Sequence, residues 1–150
     1  MTACVFDTSA IFNIVNRTLG ESISILREGF TSYLVFYEIG NLIWKEVNLF
    51  KTIEKEEGVK ILSAYRSLIS IMKVKELETE DSELVLQIAV DLSISYYDAA
   101  FVSLCTNSGM RLITDDFKLA KIVDDHQEYF KSRFNRLLKV SSSQHVLENA

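Results

Sequence analysis

The chain has 150 residues, 48% of them hydrophobic, with 16 Lys+Arg against 21 Asp+Glu for a formal net charge of −5, and no proline. That length accommodates one domain with a single core, and the apolar fraction excludes a chain that is mainly disordered. Roughly seven prolines would be expected at average usage, so their absence excludes Pro-rich linkers, and the acidic balance disfavours a partner gripped by bulk positive charge, such as duplex DNA or an anionic membrane, while leaving nucleic acid open as a substrate.

No basic stretch opens the chain, and Asp7 interrupts the first apolar run, so no secretion signal is read. Charges such as Glu38 and Lys45 break the longest apolar stretches far short of the ~20 residues a spanning helix needs. A soluble, cytoplasmic protein with no membrane partner is expected, with Cys4 and Cys105 as buried thiols.

Residues 2–6 form a short apolar run containing Val5, closed by Asp7-Thr8-Ser9, and read as a buried strand, a helix cap and a helix over 11–15. A second helix is expected over 21–27, leading through Gly29 into a strand over 32–36. Ile39, Ile43, Val47, Phe50 and Ile53 then recur at helical spacing until Gly58 interrupts, and Val59, Leu62, Arg66 and Ile69 continue in a shorter helix. Residues 70–74 read as a third strand. Thr79-Glu80-Asp81 caps a helix whose stripe is Leu84, Val85, Ile88, Ala89 and Leu92. Tyr96-Tyr97-Asp98 opens another, stopped at Asn107-Ser108-Gly109. A strand over 111–114 precedes Asp115-Asp116 and a helix through Leu119, Ile122 and Val123, and 137–140 form a last strand. The expected domain is 1–140, followed by a frayed tail over 141–150.

Short apolar strands alternating with helices predict an α/β fold, a three-layer α/β/α sandwich around a mainly parallel sheet of four to five strands. Such sheets bind ligands outside the carboxyl ends of their strands. Those positions are acidic here: Asp7, Asp98, Asp115 and Asp116. Each aspartate alone reads as a helix cap. Glu38 does not, because Glu is a poor cap and sits beside the apolar face of the longest helix. Carboxylates converging on one sheet edge raise one another's pKa unless a cation neutralises them, and oxygen-only donors suit Mg²⁺ or Mn²⁺. Nothing in the spacing of His126 and His145 matches a zinc site.

Taken in order, Asp7-Thr8-Ser9-Ala10, Glu38 early in a helix, Tyr97-Asp98-Ala99 and Thr114-Asp115-Asp116 resemble the signatures of PIN-domain ribonucleases, in particular the VapC-like toxins of toxin–antitoxin pairs. The resemblance runs over about 2–140. It implies that Asp7, Glu38, Asp98 and Asp116 are the catalytic, metal-binding carboxylates. Asp116 is favoured over Asp115 by the family spacing of Thr, any residue, Asp. Ser9 and Thr114 would be auxiliary, their hydroxyls holding a carboxylate or a metal-bound water, and Asp115 would be auxiliary or simply a helix cap. The implied activity is Mg²⁺- or Mn²⁺-dependent cleavage of RNA leaving a 5′ phosphate and a 3′ hydroxyl. The implied partners are an RNA substrate, a small antitoxin and a second copy in a homodimer.

For substrate binding, Lys118 and Lys121 open a segment over 118–139 where basic residues outnumber acidic ones and Tyr129, Phe130 and Phe134 are interleaved. The same segment also reads as a solvated helix whose aromatics enter the core. A non-catalytic PIN-like module that binds RNA or protein is the alternative function. A response-regulator receiver domain fits less well, since its acid pair should follow the first strand. The five acids Asp7, Glu38, Asp98, Asp115 and Asp116 equal the whole net charge, so the acidity is local to the expected pocket.

Overall fold

A computed structural model of the chain describes residues 3–17, 20 and 22–149. Five short strands, β1 (Cys4–Phe6), β2 (Phe30–Ser32), β3 (Lys73–Lys75), β4 (Arg111–Ile113) and β5 (Val140–Ser141), form one sheet in the order β3-β2-β1-β4-β5. Every pairing is parallel, with Val5 opposite both Phe30 and Leu112. The helices are α1 (Thr8–Arg17), α2 (Ser22–Arg27), α3 (Leu34–Lys45), α4 (Lys55–Ile69), α5 (Ser82–Leu92), α6 (Tyr96–Ser108), α7 (Phe117–Asp125), α8 (Gln127–Phe134) and α9 (Ser143–Glu148). The expected α/β sandwich with a parallel sheet of four to five strands is the fold observed, all five strands being parallel.

Alternation along the central strands separates two cores. Val5 and Leu112 join Val85, Ile88, Phe101, Val123 and Phe130 on the face covered by α5 to α8. Phe6 and Ile113 join Ile11, Ile14, Val35, Ile39 and Ile69 on the face covered by α1 to α4. Helix α6 buries nearly its whole circumference, from Ala99 to Thr106, as a helix enclosed on several sides must. Gly109 ends it at φ 71°, its N–H donating to Cys105 O at 2.8 Å.

Several boundaries differ from expectation. The expected strand over 2–6 and helix over 21–27 begin at Thr2 and Glu21, which lie outside the described residues. The strand expected over 32–36 is instead β2, ending at Ser32, because Ser32 Oγ accepts from Leu34 N at 3.3 Å and the apolar residues that follow form the first turn of α3. A four-residue apolar run has no period with which to tell strand from helix. The long helix ends not at Gly58 but in a π-helical turn over Glu46–Phe50, closed by Lys51 at φ 53°. That turn rotates Phe50 off the buried stripe, leaving it 63% exposed. Gly58 lies inside α4, where a Cβ would come within 2.9 Å of Val47 Cγ2 and 3.2 Å of Ile43 Cγ2, so glycine permits close packing of α4 on α3. Of the expected stripe, Val59 and Leu62 are exposed while Ile69 is buried, and Tyr65 joins Ile69 in the core.

The C-terminal segment is ordered. Val140 and Ser141 pair with Leu112 and Ile113, and Ser142 caps α9 by accepting from His145 N at 3.2 Å. Ser143 is 1% exposed and α9 packs on α1. Among the described residues, no single helix is long and apolar enough to cross a membrane.

Candidate active site

Strand order reverses between β1 and β4: the chain winds outward from β1 through β2 to β3, then crosses to β4 on the other side. Residues just past the carboxyl ends of these two strands flank the crevice such a reversal opens. Asp7 follows β1, and Thr114, Asp115 and Asp116 follow β4.

Asp7 is 6% exposed, and its carboxylate is held at both oxygens. Oδ1 accepts from Ser9 Oγ and Ala10 N, each at 2.8 Å, and Oδ2 accepts from the Thr114 hydroxyl. Burial nevertheless pushes this carboxyl from 3.8 up to about 6, opposed by the bonds from Thr114, Ala10 and Ser9 and assisted by the negative charge of Glu38. Thr114 Oγ1 also accepts from Asp116 N at 3.0 Å, and Ser9 Oγ accepts from Asp115 N at 2.9 Å. The two hydroxyls thus clamp the ends of β1 and β4 together around one carboxylate.

The two adjacent aspartates take different roles. Asp116 caps α7, its Oδ1 accepting from Lys118 N at 2.8 Å and Leu119 N at 3.0 Å. Asp115 ties the loop to the C-terminal segment. Its Oδ1 accepts from Ser143 N at 2.8 Å, and its Oδ2 from Asn13 Nδ2 at 2.7 Å and from the Ser143 hydroxyl.

Glu38 sits in the second turn of α3, where its Oε2 accepts from the Thr8 hydroxyl. Burial raises its pKa, the Thr8 bond lowers it, and the charge of Asp98 raises it again. Asp98 lies in the first turn of α6, where Ser95 accepts from its N–H at 3.0 Å and donates to its Oδ2 at 2.7 Å. The charge of Glu38 thus acts on Asp7 and that of Asp98 on Glu38, although the three come from separate elements. The Ser95-x-x-Asp98 spacing is a capping-box pattern that could have identified Ser95. Thr8, Asn13 and Ser143 carried no such local signal.

Lys118 and Lys121 both lie exposed on α7, and Lys121 pairs with Asp125 at 2.5 Å. The aromatics of the following helix serve the core: Phe130 is fully buried, and Tyr129 and Phe134 pack against it.

The donor set suits a hard divalent cation in its chemistry. It consists of carboxylate oxygens, one of them deeply buried and raised in pKa, and among the described residues no lysine, arginine or histidine forms an ion pair with them. Among those same residues, no three His, Cys, Asp or Glu side chains converge on one point as a ready cage. Hydroxyls and helix caps hold the acids at separate anchors: Ser9 and Thr114 on Asp7, Thr8 on Glu38, Ser95 on Asp98 and the first turn of α7 on Asp116.

Comparison with known proteins gives the family of this fold. The family model of the PIN domain matches residues 4–147. The curated protein Exonuclease VapC9 of Pyrobaculum aerophilum is 33% identical over 88 residues, 58% of this chain, and the match spans 61% of that relative's length. Among solved structures, PAE2754 from Pyrobaculum aerophilum superposes with a TM-score of 0.76 at 21% identity, over 99% of this chain and 96% of that one. DNA-bound VapBC from Salmonella typhimurium gives 0.60 at 16%, over 95% and 99%. VapBC2 from Rickettsia felis, bound to a promoter DNA fragment, gives 0.59 at 13%, over 93% and 98%. These structural likenesses carry the fold, and with the family model spanning nearly all of the sequence, the chain belongs to the PIN domain family.

Proposed function

We propose that this chain is a divalent-metal-dependent endoribonuclease, the cytoplasmic toxin of a VapBC-type toxin–antitoxin pair. The observation that carries the reading is Asp7, buried at the reversal of strand order, fixed at both oxygens and under the charge of Glu38, with no cationic side chain paired to it among the described residues. Such a group is costly to ionise unless something positive binds there. The name of the relative, Exonuclease VapC9, supports the nuclease part of this reading, and the VapBC complexes among the structural neighbours support its toxin–antitoxin part.

In this reading Asp7, Glu38, Asp98 and Asp116 hold Mg²⁺ or Mn²⁺. When bound, such ions make water nucleophilic and relieve charge on the attacked phosphate and the leaving 3′ oxygen. The chain's own work is orientation. Ser9 and Thr114 fix the Asp7 carboxylate, Thr8 fixes Glu38, and Ser95 fixes Asp98, so the acids that would hold the cation are each oriented by a hydroxyl of this chain. Lys118 and Lys121 would pair with flanking phosphates, Lys121 after releasing Asp125. The whole described chain would act as one nuclease unit, with α9 bracing the loop after β4 rather than trailing from it. A homodimer and a small antitoxin complete the proposal. The antitoxin would lie along 39–71, where Trp44, Leu49, Phe50 and Val59 stay exposed.

Cleavage of linear and circular RNA with Mg²⁺, Mn²⁺ or EDTA tests this directly. Metal-dependent cleavage of the circle, lost in Asp7→Asn and Asp98→Asn, is expected. Activity that survives EDTA and both substitutions overturns the reading, and cleavage of linear RNA alone converts it to an exonuclease. The absence of a ready cage among the described residues favours the second reading, a non-catalytic RNA- or protein-binding module. Titration with Mg²⁺ by calorimetry separates the two, since a scaffold has no use for a cation at the strand ends.

A further inference from the structure

Phe117 is the most exposed large hydrophobic residue among those described, at 83%, and it stands directly after Asp116. Its exposure follows from the cap. Asp116 Oδ1 holds the N–H groups of Lys118 and Leu119, which fixes the first turn of α7 so that Leu119 enters the core and Phe117 points outward. No packing accounts for a phenylalanine there.

The ring borders a cavity of about 290 Å³ between α7 and the end of β5. Ala120, one turn along from Phe117, and Val140 supply apolar surface, and Ser141, Ser142, Asp115 and Asp124 supply polar groups. Thr114, whose hydroxyl binds Asp7, also lines it, so the cavity adjoins the acidic site. Its size is at the lower limit of the ~300–1,000 Å³ usual for small-molecule pockets, enough for one ring system rather than a length of chain. Its charge excludes a phosphate, since two carboxylates and no lysine or arginine line it. A flat, uncharged ring with hydrogen-bonding edges is the chemistry that fits.

We propose that this cavity is a nucleobase subsite, in which a base flanking the scissile phosphate stacks on Phe117 while its edge faces Asp124 and the serine hydroxyls. The acceptor oxygens of Asp124 favour a base with an exocyclic amine over uracil. This rests on the nuclease reading and deepens it by assigning where the substrate's base is read.

The test compares cleavage of a short single-stranded RNA with that of the same RNA carrying one abasic nucleotide beside the cleaved bond. The unsubstituted protein, Phe117→Ala, Phe117→Leu and Phe117→Trp are assayed with each. Phe117 is solvent-exposed, so folding is expected to survive all three. Phe117→Ala should raise KM roughly five- to 150-fold, the range for losing one base stack, with kcat little changed. The abasic RNA should cost the unsubstituted protein a similar factor and cost Phe117→Ala little more. Phe117→Trp should restore KM and Phe117→Leu should not. An unchanged KM in Phe117→Ala, equal rescue by leucine, or additive losses in the abasic comparison each overturn the subsite while leaving the nuclease reading intact. No metal-dependent cleavage by the unsubstituted protein overturns both.

Discussion

Ser143 binds Asp115 twice, its backbone N–H donating to Oδ1 at 2.8 Å and its hydroxyl to Oδ2, which joins α9 to the loop that carries Asp116. From Asp115 the connection continues through its own N–H to Ser9 Oγ, and from Ser9 to Asp7. Ser143→Ala removes one bond to a carboxylate at a buried position, worth about 1.5 kcal/mol. For a chain of this size the expected loss is roughly 3–6 °C in Tm. A second consequence separates positioning from mere stability. At a temperature where the variant is fully folded, cleavage should fall in kcat, by up to about 10²-fold if the loop shifts, with KM steady. Thermal unfolding and steady-state kinetics on the same preparation check both.

Asp7→Asn should abolish cleavage and stabilise the fold. Burial raises the Asp7 carboxyl from 3.8 to about 6, so the folded chain prefers it protonated. The unfolded chain binds fewer protons than the folded one between those values, and stability therefore falls as pH rises from about 4 to above 6. The cost of ionising it is about 2–3 kcal/mol. Asparagine removes that cost while keeping polar partners for Ser9, Ala10 and Thr114, since its amide can donate to the Thr114 oxygen. Urea unfolding should show the variant more stable than the unsubstituted protein at pH 7.5, with the gap closing near pH 4. A gap that is independent of pH would show that Asp7 is not the group responsible.

The features legible in the sequence were the local ones. A short β-branched run closed by Asp7-Thr8-Ser9 announces a strand end and a helix start within five residues, and the same grammar placed Asp98 and Asp115-Asp116. What the sequence could not supply was partnership at a distance. Thr114 meets Asp7 across 107 residues, Thr8 meets Glu38 across 30, and Ser143 meets Asp115 across 28. The last of these explains why 141–150 read as a tail: three serines look like solvent-facing turn residues until Asp115, which takes both hydrogens of Ser143, is in place. Likewise nothing local decides which of two adjacent aspartates caps α7. Backbone geometry does, with Asp116 at φ −75° and ψ 100° aiming its side chain at the helix while Asp115 turns to α9.

Divalent cations should stabilise the fold at neutral pH and lose that effect in acid. A ligand bound only by the folded state at 100 times its Kd adds about 2.7 kcal/mol. Asp7 must be ionised to hold a cation, so affinity should decline as pH falls through about 6, and the raised pKa of Glu38 acts in the same direction. Thermal unfolding with MgCl2, MnCl2 or EDTA at pH 7.5 and 5.0 measures this without any substrate. Equal shifts at both pH values, or a full shift in Asp7→Asn, would place the cation elsewhere.

Thr8→Val isolates the role of the Glu38 contact. The Thr8 hydroxyl donates to Glu38 and lowers its pKa against the effects of burial and Asp98. Valine keeps the shape but withdraws the donor, leaving a half-buried carboxylate less well satisfied. The Glu38 carboxyl should then rise further, and if it must be ionised for cleavage, the acid limb of the pH–rate profile moves to higher pH. At pH 8.5 the rate should approach that of the unsubstituted protein, whereas at pH 6 it should fall sharply. A pH-independent loss would instead show that Thr8 acts by packing, since it is itself buried at the start of α1.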